Sequence, residues 1–260
     1  MNTCDNMNFE ICIDSVQSAI NAQLGGAQRV ELCDNLFEGG TTPSAGMIKQ
    51  VRKAIDIQLF VIIRPRGGDF LVSPDELEVM LEDIRIAKDL GADGIVSGAL
   101  TADGNIDLET TDKLIKAANP LPFTFHRAFD MCKDAFLALE QLINLGVTRI
   151  LTSGQQPNAL SGADTIKELI NKAADKIIIM PGAGINPDNI KSLIEKTGSK
   201  EYHFSGRKQF SSGMIYKNTM INMGGIPGIP EYSLFYSDVN IIKSVIRNAK
   251  AAIHGKEETK

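Results

Sequence analysis

Short apolar, β-branched runs and longer amphipathic stretches alternate eight times along this chain, and no other feature restricts its fold as much. The runs fall at residues 9–13, 29–33, 58–64, 94–97, 122–127, 149–153, 176–180 and 201–205. The stretches between them carry helix punctuation. Ser73-Pro74-Asp75-Glu76 reads as a capping box with proline at the first helical position. Asn186-Pro187-Asp188 repeats the cap-then-proline pattern, and Leu24-Gly25, Leu90-Gly91 and Leu145-Gly146 each read as a helix end before a strand. The segments QLGGAQRVEL, DLGADGIVSG and NLGVTRILTSG form a weak internal repeat of that unit. Strand-helix repetition with brief links builds parallel sheets. Eight units over 260 residues predict a TIM-like (β/α)8 barrel, α/β in class and a single domain spanning 1–260. The competing arrangement is an open doubly wound sheet, whose GxGxxG turn is missing from the first unit. The rhythm breaks once. Residues 209–237, rich in Gly, Pro, Met and Tyr, read as a long functional or interfacial loop before a final helix at 238–253.

Composition narrows the class of partner. Lys and Arg total 27 against 32 Asp and Glu, a net charge of -5, so no basic footprint for nucleic acid or an anionic membrane is present. No apolar run approaches the ~18 residues of a membrane-spanning helix. The polar start, Met1 to Asn8, lacks a basic-then-apolar leader pattern. Cys4, Cys12, Cys33 and Cys132 form no CxxC pair and read as reduced thiols of a cytoplasmic protein.

Strand alternation then separates two faces. In FEICID the apolar set Phe9, Ile11 and Ile13 suits packing under helices, which turns Glu10, Cys12 and Asp14 into the barrel. In VELCD the same rule turns Glu31 and Cys33 inward. Buried carboxylates need cations or donors close by. Later strand ends offer Arg64, Arg66, His126, Arg127, Asp130, Ser153, Ser205, Gly206 and Arg207, where barrels of this kind bind ligands. One reading of these groups is purely structural, a core network joining Glu10 and Glu31 to Arg64 and His126. Gly182 and Gly184 after the seventh run, with Ser205-Gly206-Arg207 after the eighth, suit backbone binding of phosphate or simply allow tight turns. The sixth run ends without lysine, so Schiff-base chemistry lacks its nucleophile, and HExxH, Walker and GxSxG motifs are missing. Cys12 and Cys33 on neighbouring strands could share one soft ion such as Cu(I), with Met214, Met220 and Met223 as further soft groups. Buried thiols and gap-filling methionines are the plainer reading.

The motifs FEICIDSVQSAINAQLGGAQRVELCDNLFEGGTTPS, IIRPRGGDF, FTFHRAFD, RILTSG and IMPGAGI, in that order, closely resemble the CutC copper-homeostasis family. The resemblance runs from about Phe9 to Ser205-Gly206-Arg207 and implies a cytoplasmic TIM-like barrel, a homo-oligomer, associated with copper tolerance. Carried over by position, it places Cu(I) ligands on Cys12 and Cys33 and recurring polar strand ends on Glu10, Glu31, Arg64, Arg66, His126, Arg127, Asp130, Ser153, Gly182, Gly184 and Ser205. Two functions follow. The first is Cu(I) binding through Cys12 and Cys33, with no organic cofactor. The second is a lyase- or isomerase-like reaction on a small phosphorylated or carboxylated metabolite. There His126 would be the acid-base group, Glu10 or Glu31 its partner, Arg64 and Arg127 the anion clamp, and Asp130 a further carboxylate.

Overall fold

A computed structural model describes residues 7–221 and 230–257, with side chains to residue 252. Eight strands run in chain order: β1 Asn8–Ile13, β2 Arg29–Leu32, β3 Gln58–Ile62, β4 Gly94–Ser97, β5 Phe123–Phe125, β6 Arg149–Thr152, β7 Ile178–Pro181 and β8 Glu201–Phe204. All pair in parallel in the order β7-β6-β5-β4-β3-β2-β1-β8. β7 and β8 meet at the seam and pack together without a paired ladder, so the barrel is nearly closed. The helices are α1 Val16–Gly25, α2 Ala45–Ala54, α3 Pro74–Asp89, α4 Leu108–Ala118, α5 Ala135–Asn144, α6 Ala163–Ala173, α7 Ile190–Thr197 and α8 Val239–Glu257. The predicted barrel is therefore the fold.

Local chemistry accounts for most boundaries. The Ser73 hydroxyl accepts from the Glu76 amide at 3.2 Å while the Glu76 carboxylate accepts from the Ser73 amide at 2.8 Å, the reciprocal capping box. Ser15, Ser44, Asp107 and Asp134 cap α1, α2, α4 and α5. Asn186 accepts from the Asp188 and Asn189 amides and so shapes a turn before α7, which begins three residues beyond Pro187.

Two apolar layers form, as alternation requires. Phe9, Ile11, Val30, Leu59, Ile95 and Ile150 face the helices in one continuous core. Inside the barrel a second, smaller cluster joins Cys33, Phe60, Ile62 and Val96, with Cys12 against it. Gly94 makes room for this inner layer, since a Cβ there would stand 2.4 Å from the Phe60 ring.

Residues 209–237 are not all loop. β9 Arg207–Ser211 and β10 Ser233–Ser237 pair antiparallel and form the base of an arm inserted between β8 and α8. Its root is fixed to the barrel mouth. Arg207 binds Asp14 at 3.1 Å and lies over the Phe37 and Phe235 rings, which meet edge to face. The last helix begins one residue later than the expected 238 and continues past 253, with Asp238 accepting from the Asn240 and Ile241 amides.

Candidate functional site

The inward faces of β1, β2, β6 and β8 carry a continuous line of charge along the barrel axis. Near the strand starts, Arg149 binds Glu201 at 2.6 Å and Glu201 binds Arg29 at 2.5 Å. Arg29 in turn binds Glu10, which accepts from or shares a proton with His203 Nδ1 at 2.7 Å. Arg29 and Arg149 both lie over the Phe60 ring, with Met180 and Thr124 taking further guanidinium contacts. Pairing of this kind offsets the cost of burying each charge. Burial works against ionisation of Glu10, yet Arg29 and His203 hold its carboxyl far below the usual range.

This line ends at the thiols. Cys12 and Cys33 sulfurs stand 3.7 Å apart, and Cys33 Sγ lies 3.5 Å from a Glu31 carboxylate oxygen. His203 Nε2 is 3.7 Å from that same carboxylate oxygen. Cys12 is half-buried and Cys33 is buried. The hydrogen bond from Cys33, reinforced by His203 and opposed by burial, lowers the Cys12 thiol to about 5. Cys33 is pushed well above its ordinary value by the same bond, by burial and by the charge on Cys12. Burial likewise raises Glu31, with Cys12 and Glu10 adding to it. Burial opposes protonation of His203, but Glu31, Cys12 and Glu10 outweigh it and raise the imidazole well above its ordinary value. Taken together, three cations (Arg149, Arg29, His203) alternate with three anions (Glu201, Glu10, Cys12), while Glu31 and Cys33 are shifted toward their protonated forms. One Glu31 oxygen has no hydrogen-bond partner.

Cys12, Glu31 and Cys33 offer ligand atoms within 4.8 Å of one another. Two sulfurs and one carboxylate at a barrel mouth suit a soft monovalent ion held by thiolates, with the harder carboxylate beside it. Sequence reasoning brought Glu10, Cys12, Glu31 and Cys33 to the barrel interior, and the structure does the same. It left His203, Arg29, Arg149 and Glu201 without roles. The signal was present, because each sits on an inward strand position by the alternation applied to β1 and β2.

The remaining predicted residues do not join this cluster. Arg64 binds neither Glu10 nor Glu31, so the expected core network with Arg64 is corrected. The strand β3 ends at Ile62, and the Arg64 guanidinium reaches sideways to the Glu38, Gly40 and Gly68 carbonyls at 2.7–3.0 Å. His126 is buried against Phe70, not against the glutamates. Arg66 is exposed and held by Asp69 and Glu76. Arg127 binds Asp130 at 2.7 Å and Ser153 at 3.1 Å, while Asp130 also accepts from Thr152 and from the Ser153 and Gln155 amides. Asp130 thus braces the end of β6. A Cβ on Gly182 would fall 2.5 Å from Leu151 and 3.3 Å from His203, so that glycine permits close packing beneath the histidine. The Gly184 carbonyl is taken by Asn186 and Asn189, and those of Ser205 and Gly206 by Ser237 and Asp238. Met214 and Met220 are exposed on the arm, away from the thiols in chain and burial, and Met223 and Cys4 lie outside the described residues. A cavity of about 250 Å³ opens at the opposite end of the barrel, lined by Asn8, Ile170, Ile177, Ser199, Lys200 and Glu201, and none of the predicted site residues lines it. Among the described residues no helix is long and apolar enough to cross a membrane.

Comparison with known proteins places this geometry among relatives. The family model described as the CutC family matches residues 7–208. A mouse protein named copper homeostasis protein cutC homolog is 50% identical over 242 residues, 93% of this chain and 89% of its own. A Bacteroides fragilis family protein CutC is 49% identical over 249 residues, 95% of this chain and 99% of its own. The crystal structure of a CutC protein from Streptococcus agalactiae superposes with a TM-score of 0.73 at 37% identity, covering 76% of this chain and 98% of that one. Phosphoribosylanthranilate isomerase from Thermotoga maritima shares the fold alone, with a TM-score of 0.57 at 16% identity over 94% of this chain and 99% of that one. Matched over most of its length by both the family model and full-length relatives, the chain belongs to the CutC family.

Proposed function

We propose that the protein handles copper by binding Cu(I) between Cys12 and Cys33 at the barrel mouth. The observation that carries this reading is the pair of sulfurs 3.7 Å apart, one half-exposed and one buried, set against a carboxylate and a histidine. Soft sulfur donors select Cu(I) over the harder divalent ions, and a ligating thiol must shed its proton. Cys12 already stands as the thiolate end of a pair with His203, so it is the natural first ligand. Cys33 would release its proton on binding, and the Glu31 carboxyl lies 3.5 Å from its sulfur. The copper-homeostasis names of the relatives support the same reading. Reduced thiols are kept in the cytoplasm, which suits such a site.

A competitive Cu(I) titration of reduced, metal-free protein tests it. About one ion per chain is expected, lost in Cys12→Ser/Cys33→Ser. Equal binding by the double variant overturns the proposal.

A further inference from the structure

Arg64 is unusual among the buried arginines. Arg29 and Arg149 are each neutralised by a carboxylate, whereas Arg64, 6% exposed, has no ion-pair partner among the described residues. Its guanidinium meets only neutral carbonyls, those of Glu38, Gly40 and Gly68, and its Nε is left without a hydrogen-bond partner. Glu38 and Asp69 act on it only from beyond ion-pair distance. A buried, unneutralised guanidinium is costly, and its fork geometry suits an oxyanion.

A second unpartnered donor lies beside it. His126 is 4% exposed, and its Nδ1 accepts from the Ala128 amide at 3.3 Å. The ring proton therefore sits on Nε2, which is buried and has no partner. Burial, with the Arg64 charge adding to it, lowers His126 to about 3, so the imidazole is neutral and donates without a charge of its own. Strand alternation turns Arg64, Gly98 and His126 to the interior at the ends of β3, β4 and β5, and the middle position has no side chain. A Cβ on Gly98 would crowd His126 Nδ1 at 3.0 Å and the Phe125 ring at 2.9 Å.

Phe70 covers both donors. Its ring centre is 4.8 Å from the Arg64 guanidinium carbon and 5.0 Å from the centre of the His126 ring. Beside Arg64, Phe70 and Gly98 remains a cavity of about 20 Å³, room for about one water-sized atom. The Phe70 backbone is held through its carbonyl by the Leu100 amide at 2.8 Å, which fixes the loop that carries the ring.

We propose that Arg64 and His126 form an oxyanion site, separate from the thiols, which accepts a carboxylate or phosphate group when the Phe70 side chain swings aside. Both donors carry hydrogen and one carries a full positive charge, a combination that repels metal ions and attracts an anionic oxygen. Arg66 and Arg127 take no part, since each is exposed and occupied by its own acids.

The test is a titration of the full-length, reduced, metal-free protein with inorganic phosphate and, separately, acetate, at ionic strength held constant with chloride. The readout is the imidazole nitrogen resonances of His126 in protein labelled with ¹⁵N-histidine. A saturable shift with either anion is expected, about tenfold tighter in Phe70→Ala, where no plug has to be displaced. A rise in thermal midpoint with the same anion should disappear in His126→Phe. Response to phosphate alone or acetate alone identifies which group the site prefers. No saturable shift in either the wild type or Phe70→Ala, or an undiminished thermal response in His126→Phe, overturns the proposal.

Discussion

At the scale of single residues, the two described inward histidines are tuned in opposite directions by their neighbours. His203 faces Glu10, Glu31 and the Cys12 sulfur and is held protonated, whereas His126 faces Phe70 and the Arg64 charge and is held neutral. The consequence for stability can be measured at His126. The unfolded imidazole titrates at its ordinary 6.5, while the folded one titrates at about 3. Below pH 6.5 the unfolded chain binds a proton that the folded chain does not, so this residue removes stability as the pH falls, until the folded value is reached. The slope is about 1.4 kcal/mol per pH unit. A His126→Gln variant should therefore lose stability less steeply than wild type between about pH 6 and pH 4 in urea unfolding. Parallel profiles would show that His126 protonates freely in the folded protein. The Cys12–His203 pair behaves differently, because folding moves a proton from thiol to imidazole without changing the total near neutral pH.

Among the elements, the connection from β6 to α6 is the tightest joint at the barrel mouth. Gly162 caps α6 with φ -93°, an angle open to any residue, so its identity answers to space and not to backbone strain. A Cβ there would lie 1.9 Å from the Ser153 carbonyl oxygen and 3.0 Å from the Gly154 Cα, both backbone atoms that cannot turn away. Asp130 pins the same segment through the Ser153 and Gln155 amides. Gly162→Ala should cost about 1–3 kcal/mol or more, read from urea midpoints. The comparison is Gly146→Ala, where φ is +77° and nothing lies within 4 Å of the added carbon. That variant should show only the left-handed backbone cost, about 1–2 kcal/mol. An unaffected Gly162→Ala would mean that the loop gives way more easily than its hydrogen bonds suggest. Element existence was readable from strand-helix periodicity and capping residues, and the barrel followed from counting the units. The paired strands at either end of 209–237 were not readable. Gly and Pro interrupt that stretch, and RKQFS and SLFYS pair across the arm without the two-residue turn that marks a hairpin in sequence.

For the whole molecule, the charge line along the barrel axis is both support for the thiols and a liability. Arg29 is 2% exposed and bridges Glu10 to Glu201, so its removal takes a cation from two buried carboxylates at once and leaves Glu10 with His203 alone and Glu201 with Arg149 alone. Arg29→Met should destabilise the protein by about 3–5 kcal/mol at neutral pH, and by less in acid, where the freed carboxylates take up protons. Calorimetric midpoints at the two pH values check both parts. A destabilisation independent of pH would mean that the lost packing on Phe60, not the lost cation, is the dominant effect.

The division of labour between sequence and tertiary structure is visible in the site itself. Alternation along two strands was enough to turn Glu10, Cys12, Glu31 and Cys33 inward, because a period of two is a property of the backbone alone. Eight repeated units were enough to predict closure into a barrel. Which partners meet across β8 was decided only by that closure. His203 reaches Glu10 across 193 positions of chain and Arg29 reaches Glu201 across 172, because β8 comes to lie beside β1. Arg64 and His126 were legible as strand-end residues but not as a pair apart from the glutamates. β3 and β5 stop before them, so their side chains answer to the Phe70 loop and the Glu38–Gly40 turn, and no local periodicity specifies those neighbours.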